Sequence, residues 1–589
     1  MPDIFMVTQL MSSITPSAAR DEVRISLPQG SILSAPVGTT IETVLLAAEA
    51  QGLLTFSAKL VAAISNGKLR ELRHTLTTDV TVQPVLLSSS DGGRIYRRSL
   101  VMLLTTAVQQ LWNCEVSVQY ALPDGGFYCE LVNHAQPTPE QLTELDTTMR
   151  TLVAADHPIQ KRLVALEDAR TIFEDRGAED KVRLLEYRAR DHLVLYNLLG
   201  REDYYYGYMV PSTRYIDTFK LVHVETGFVL QYPRQENPTV LGDMALYNKL
   251  SKVFSQADEW LERLGVEDIG SLNRLVSRDT VQELILVAEA LHEQQVAYIA
   301  WQISQKHKTE GAQLVLIAGP SSSGKTTFSR RLAIQIMAHG LRPFTLEMDN
   351  YFVDRDATPR DDNGEFDFES LYALDLVRFN ADLVRMMAGE QVQLPRFDFL
   401  KGKSVPGRMV RLATDQIIIL EGIHGLNPNL VTSIPTEKMF RIYVSALTQL
   451  NIDMHNRVST TDVRLIRRIV RDARTRGYSA TDTLNRWRSV RRGEKRNIFP
   501  YQENADAMFN SALVYELAAL RPFAEPLLLQ VPPDVPAHIE ANRLLSFLRW
   551  VQPFSERQQA MIPDTSLLRE FMGGCILDNY HPGELDYGN

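Results

Sequence analysis

The 589-residue sequence has only three cysteines, Cys114, Cys129 and Cys575, far apart and with no C-x-x-C pair. That spacing excludes a disulfide framework and a cysteine zinc site, and it suits a reducing compartment. Long apolar runs are missing too; none reaches the roughly 18 residues that a membrane span needs. The opening stretch "MPDIFMVTQL" carries an acidic residue where a secretory leader carries positive charge. Both features point to a cytoplasmic protein with no membrane partner. Positive charge is in deficit: the formal net charge is −10, which argues against nucleic-acid binding by bulk charge and leaves room for a local basic patch. Internal repeats and low-complexity tracts are absent.

What is present is an ordinary globular composition, 44% apolar and 23% charged. A chain of this length exceeds what one hydrophobic core serves, so about three or four domains are expected. Residues 21–90 read as short strands around one helix, a β-grasp module. In it "TTIETVLLAAEAQGL" offers threonine caps ahead of helical apolar spacing, and "LVAAISNGKLREL" is a hairpin turning at Asn66-Gly67. Residues 91–235 form a mixed α+β block that opens on the apolar helix "RRSLVMLLTTAVQQLW". Its tyrosine-rich stretch "REDYYYGYMV" reads either as a stacking platform for bases or, more commonly for strand tyrosines, as packed core. Residues 241–308 look helical throughout and form a linker to the C-terminal half.

From 311 to 530 the pattern changes to α/β. "QLVLIAG", "FTLEMD", "QIIILEG", "FRIYVS" and "PLLLQV" are short apolar runs of the kind buried on both faces of a parallel sheet, with amphipathic helices between them. Residues 535–589 read as a helical tail that loses regularity near "GELDYGN". The expected whole is a multidomain α/β and α+β protein.

The sharpest local signal is "GPSSSGKTT", which fits G-x-x-x-x-G-K-[S/T]. Its glycines let successive backbone N–H groups turn toward phosphate. Gly319, Ser321, Ser322, Ser323, Gly324, Lys325, Thr326 and Thr327 are therefore the candidate ATP-binding residues. Lys325 should reach the β- and γ-phosphates, and the Thr326 hydroxyl should ligate Mg²⁺. An apolar strand runs into the motif and a helix runs out of it, as the cradle requires. The second apolar strand ends in "LEMDNYF", which puts Asp349 at a strand's carboxyl end, positioned to take a proton from an acceptor hydroxyl. The third ends in "LEGIHG", where Glu421 follows four apolar residues and a magnesium partner would offset its burial. In "DVRLIRRIVRDARTRGYS" the spacing of Arg468, Arg471 and Arg476 turns at least two of them to one side, a candidate arginine lid over the triphosphate.

These stretches, with "FDFESLYALDL", "VQLPRFDF" and "ILEGIHGLN", resemble in order and spacing the uridine kinase and phosphoribulokinase family of P-loop kinases, over residues 311 to about 530. The resemblance implies a five-stranded parallel core, ATP, magnesium, and transfer of the γ-phosphoryl to a 5′-hydroxyl, with a nucleoside as the acceptor. It implies Asp349 as catalytic base, with Lys325, Arg471 and Arg476 catalytic beside it, and Thr326 and Glu421 at the metal. On the acceptor it implies Asp367 for the ribose hydroxyls, Phe397 stacked on the base and Arg468 on the substrate side. The family's base-reading histidine position is Gly402 here, and two further contact positions are Tyr478 and Arg486, so base specificity stays open. A phosphoribulokinase-like sugar-phosphate kinase, using Arg396 or Arg486 on the acceptor, is the alternative within enzymes.

The front half resembles something else. Residues 21–88 resemble a TGS domain, and residues 95–234 the second additional domain of threonyl-tRNA synthetase. The histidine pair that domain carries on its helix is Arg98 and Met102 here, and its later cysteine and histidine fall near Tyr205 and Met209. Editing or zinc chemistry is therefore not expected on this module. The resemblance leaves an RNA-associated regulatory nucleotide-binding protein as a rival reading. It also leaves monomer or homo-oligomer open.

Overall fold

The computed structural model describes residues 20–580 and 582, apart from 246, 361–363, 365, 368, 399, 400 and 449. The first sheet comprises β1 (Glu22–Ser26), β2 (Ile32–Pro36), β3 (Leu60–Ser65), β4 (Lys68–Arg70) and β5 (Val80–Leu86), in the order β2-β1-β5-β3-β4. Asn66 and Gly67 turn the β3–β4 hairpin at φ 46° and 73°, the left-handed conformation that these two residue types tolerate. Helix α1 (Ile41–Ala50) starts where the Thr40 hydroxyl accepts the Thr43 N–H at 3.2 Å, and it buries Ile41, Val44, Leu45 and Ala48.

The apolar helix α2 (Ser90–Trp112) continues the same core into the second block, burying Leu100, Met102, Leu103, Leu104 and Ala107. Strands β6 (Glu115–Leu122) and β7 (Gly126–Val132) lead to α3 (Pro139–Ala154), whose start is a capping box between Thr138 and Gln141. Then come β8 (Gln160–Ala165), α4 (Leu166–Asp175), α5 (Glu179–Leu185), β9 (His192–Leu198), β10 (Arg201–Asp203), β11 (Lys220–Val224) and β12 (Gly227–Gln231). They complete one antiparallel sheet ordered β11-β12-β7-β6 and another ordered β10-β9-β8. The tyrosines of "REDYYYGYMV" do not form a platform at Tyr204 and Tyr205: both are buried, Tyr204 against Trp550 and Tyr205 with its hydroxyl on Thr105 at 2.9 Å.

Residues 241–308 are not helical throughout. Residues 241–245 and 247 are irregular, and the helices α6 (Asn248–Arg263), α7 (Ile269–Ser277) and α8 (Gln282–Glu310) are separated by turns. Gly265 takes φ 64° in the first break, and Asp268 caps α7 by accepting the Ser271 N–H at 2.7 Å. Local turn chemistry thus interrupts an otherwise helical pattern. Along α8 the residues Leu284, Ile285, Ala288, Val296, Ile299 and Ile303 are buried in the core of the C-terminal domain.

That domain is built on five parallel strands, β13 (Leu314–Ala318), β14 (Arg342–Glu347), β17 (Gln416–Glu421), β18 (Met439–Ser445) and β19 (Ala507–Asn510), ordered β14-β17-β13-β18-β19. Helix α9 (Lys325–Ala338) follows β13, α10 (Leu376–Met387) follows β14, and a β15–β16 hairpin (Gln391–Asp398, Lys403–Arg411) precedes β17. The helices α11 (Thr460–Arg476) and α12 (Ala480–Asn497) follow β18.

One sequence expectation fails here. "PLLLQV" is not a strand; it closes helix α13 (Glu516–Leu529), and the edge of the sheet is the four-residue β19. A short apolar run has no period to separate a buried strand from a buried helix. In α13 Leu517, Leu520, Ala524 and Leu528 bury one helical face despite Pro522 and Pro526. The tail continues as α14 (Ala537–Leu548), α15 (Glu556–Ala560) and α16 (Arg569–Met572); "GELDYGN" lies outside the described residues.

The loop after β18 joins the two halves. The Val118 N–H donates to the Met454 carbonyl at 2.9 Å, and the Asn451 amide donates to the Val118 carbonyl at 3.2 Å. Buried Lys181 stands between Asp203 at 3.1 Å and Asp453 at 3.0 Å. His455 lies 3.1 Å from Asp203 and 3.5 Å from Glu115. Burial and Lys181 push the His455 pKa down, but the two carboxylates outweigh them and hold it above its ordinary value. Removing the cation leaves buried carboxylates short of a partner. Lys181→Met is therefore expected to destabilise the joined halves by about 3–5 kcal/mol, read as a lower, separated thermal transition; unchanged melting would contradict the role of this cluster.

Candidate active site

Strand β13 ends in Ala318, and the chain then turns sharply under β18. A Cβ on Gly319 would lie 2.0 Å from the Val444 carbonyl oxygen, so no larger residue fits this close approach. Ser322 takes φ 57° and Gly324 takes φ 84°, which curls the loop into the start of α9. Gly324 is the N-cap of α9 and supplies no side-chain acceptor of its own for the N–H groups of the first helical turn. The Ser322 and Ser323 hydroxyls are buried and have no hydrogen-bond partner among the described residues. Lys325 is enclosed and donates to the Pro320 carbonyl at 3.3 Å; its burial lowers its pKa against the opposing pull of Glu421 and Glu570. Thr326 donates its hydroxyl to Glu421 at 3.1 Å. Burial pushes the Glu421 pKa up, and Lys325 draws it back.

A helix start without an N-cap side chain of its own, the orphaned Ser322 and Ser323 hydroxyls and the Lys325 ammonium fit the phosphates of a nucleoside triphosphate. A hydroxyl hydrogen-bonded to a half-buried carboxylate fits a magnesium ion on those phosphates, held by Thr326 and Glu421. The residues from Gly319 to Thr327 named from the sequence thus form the loop after β13 and the first turn of α9.

The three arginines of the expected lid gather on one carboxylate. Arg468, Arg471 and Arg476 reach Asp472 at 3.2, 2.8 and 3.5 Å. Arg468 also donates to the Ser321 hydroxyl at 2.7 Å, which ties α11 to the loop. Sequence reasoning missed Asp472 and missed a second anchor, the buried pair Arg464–Glu494. Glu494 accepts the Ser321 N–H at 2.9 Å while Arg464 donates to the Ser321 carbonyl at 3.0 Å, so one residue's backbone is clamped from α11 and α12. Burial alone would raise the Glu494 pKa; Arg464 and Arg491 outweigh it and hold it low. The signal was present: Arg464 and Arg467 fall among Val463, Ile466 and Val470 on the helix's buried face, where a solvated arginine has no place.

On the acceptor side, Asp349 sits in a short turn, Met348–Tyr351, directly after β14. Glu347 pairs with Glu421 across β14 and β17, so Asp349 emerges beyond the same sheet end as Glu421. Burial, and next Glu347, raise the Asp349 pKa above its ordinary value. A base must be ionised, so activity should fall as pH drops through that raised pKa. Glu347→Gln removes the neighbouring negative charge and is expected to move the acid limb of the rate profile to lower pH. An acid limb that stays in place in this variant would take Asp349 out of that titration.

Asn350 links the same turn to the hairpin by accepting the Phe397 N–H at 3.2 Å. Phe397 meets Phe352 edge-on at 5.6 Å. Asp367 is ion-paired with Arg496. Buried His424 lies beside that pair, its pKa held down at about 4 by burial and by Arg496. Gly402 turns the β15–β16 hairpin at φ 65° with Arg355 packed over it. Arg486 stacks on Tyr478 at 4.3 Å.

In the front half, Arg98 donates to the Tyr208 carbonyl at 2.6 Å, and Met102, Tyr205 and Met209 are buried in the shared core. Among the described residues no group of three or more His, Cys, Asp or Glu could hold a metal ion, and no helix is long and apolar enough to cross a membrane.

Residues 314–518 match the Phosphoribulokinase / Uridine kinase family. The C-terminal domain is a member of that family. It is a P-loop kinase domain on a five-stranded parallel sheet. The N-terminal region is similar to threonine–tRNA ligases; that of Psychrobacter cryohalolentis is 30% identical over 208 residues, 35% of this chain and 32% of the ligase. The chain thus spans about a third of the length of the curated relatives it matches. Among solved structures, the kinase domain is similar to a possible uridine kinase from Bacillus stearothermophilus, with 17% identity and TM-score 0.22, covering 34% of this chain and 88% of that one. A D-glycerate 3-kinase from Cryptococcus neoformans shows 16% identity and TM-score 0.19, covering 44% of this chain and 87% of that one.

Proposed function

We propose that this protein transfers the γ-phosphoryl group of ATP to a hydroxyl of a small acceptor, the 5′-hydroxyl of a nucleoside first among them. The observation that carries the proposal is the placing of two half-sites at one sheet end: Lys325 and Thr326 at the start of α9 with Glu421 at the end of β17, and Asp349 beyond β14, the strand beside β17. The acceptor oxygen attacks the γ-phosphorus in line, its proton passes to the Asp349 carboxylate, and ADP leaves. Thr326 and Glu421 would hold magnesium, which would supply charge neutralisation on the phosphates. Lys325, Arg471 and Arg476 take up the charge that develops, the two arginines turning from Asp472 toward the phosphates. Asp367 and Phe397 are proposed to hold the acceptor's hydroxyls and ring, and Arg468 to face it.

The test is a panel of nucleosides and ribulose 5-phosphate with γ-labelled ATP and Mg²⁺, followed by product identification. A labelled nucleoside 5′-monophosphate supports the reading. Labelled bisphosphate would instead favour a sugar-phosphate kinase, for which the exposed Arg396 on β15 is available. A second reading, an RNA-associated nucleotide switch, draws on the threonine–tRNA ligase likeness of the front half. A pure switch has no use for Asp349 and Asp367; ATP turnover blind to every acceptor, with tight RNA binding, would favour it.

A further inference from the structure

Helix α9 lacks an N-cap side chain of its own, yet one of its N–H groups is satisfied. Thr327, at the third position of α9, donates both its backbone N–H, at 3.2 Å, and its hydroxyl, at 2.9 Å, to a single carboxylate oxygen of Glu570. Glu570 belongs to α16, 243 residues further along the chain. Three residues earlier the tail touches the loop again. Leu567 packs onto the bare α-carbon of Gly324, so closely that an added Cβ would come within 2.3 Å of its Cδ2. The tail is held in place by α11: its Arg474 donates to the Glu570 carbonyl at 2.8 Å and to the Phe571 carbonyl at 3.2 Å. It is also held by the core, since Leu567, Leu568 and Phe571 are fully buried.

A helix N-terminus with free N–H groups binds an anion, and here the chain brings its own. Glu570 also lies close enough to Lys325 and Glu421 to act on both electrostatically, so its negative charge stands in the field meant for phosphate. We propose that α16 is an autoinhibitory plug, in which the Glu570 carboxylate occupies an anion position of the P-loop and must leave before a nucleoside triphosphate binds. The inference rests on the loop being a nucleotide site, as under Proposed function. Because α11 holds both Arg474 and the lid arginines, movement of the tail and movement of the lid are mechanically linked. Release of α16 frees the Thr327 donors for phosphate and removes the Arg474 anchor from α11 in one step.

The test uses the full chain, because deleting the tail would expose core residues. ATP·Mg²⁺ affinity is measured by calorimetry for wild type, Glu570→Gln and Glu570→Ala, with melting temperature recorded for each. Alanine removes the competing anion, so ATP is expected to bind roughly tenfold tighter; glutamine keeps the shape and an acceptor oxygen but not the charge, and falls between. Hydrogen exchange of residues 566–572 in wild type is expected to rise when ATP·Mg²⁺ is added. Equal or weaker ATP binding in Glu570→Ala, with exchange in the tail unchanged by ATP, overturns the plug and leaves the nucleotide site standing; Glu570 is then only a helix cap. If neither wild type nor the variants bind ATP, the nucleotide site fails and the plug fails with it.

Discussion

Asp349→Asn is expected to lower phosphoryl transfer by about three orders of magnitude, the range a general base supplies, while ATP binds as before. The substitution preserves the shape of the side chain and removes the proton acceptor. Asp349 is in the turn after β14 and is not among the residues of the loop that starts α9, so triphosphate affinity has no reason to change. The raised pKa of Asp349 sharpens the expectation, because a base moved up from the ordinary carboxylate range takes a hydroxyl proton more readily. Single-turnover transfer beside calorimetric ATP binding separates the two effects. Full activity in the asparagine variant would remove Asp349 from the mechanism, and lost ATP binding would mean that it acts through the loop.

The parts of this site that were legible in the sequence are those fixed by backbone chemistry over a few residues. Gly319, Gly324 and Lys325 mark a candidate phosphate loop by their spacing, and the two glycines stand where Val444 comes close and where φ is positive. Asp349 and Glu421 were legible because each follows an apolar run that fits a buried strand. Where the pattern carried less information the reading failed. "PLLLQV" was apolar enough for either a strand or a helix, and "AMFN", which takes the fifth place in the sheet, was too short to announce itself. The Thr327–Glu570 contact and the Lys181 cluster join residues hundreds of positions apart, and no local pattern encodes such pairings. In the arginine-dense helix α11 the grouping of Arg468, Arg471 and Arg476 could be read from their spacing. Their common partner Asp472 could not, because its burial comes from the fold.

Lys325 carries the second large effect. Its ammonium is enclosed beneath the loop, where it donates to Pro320 and faces Glu421. Alanine removes the one cation inside the loop itself, and a preorganised charge in an enclosed site contributes several kcal/mol to phosphate binding and transfer. The surrounding fold should survive, because α9 is anchored through Phe328, Leu332, Ala333 and Ile336 in the core.

The most direct measurement is therefore ATP·Mg²⁺ affinity and product formation side by side in wild type and Lys325→Ala, at matched thermal stability. The expected result is a fall of about a hundredfold or more in affinity together with loss of product. A variant that binds ATP and forms product as wild type does would contradict the assignment of residues 319–327 as the triphosphate site, and the kinase reading with it.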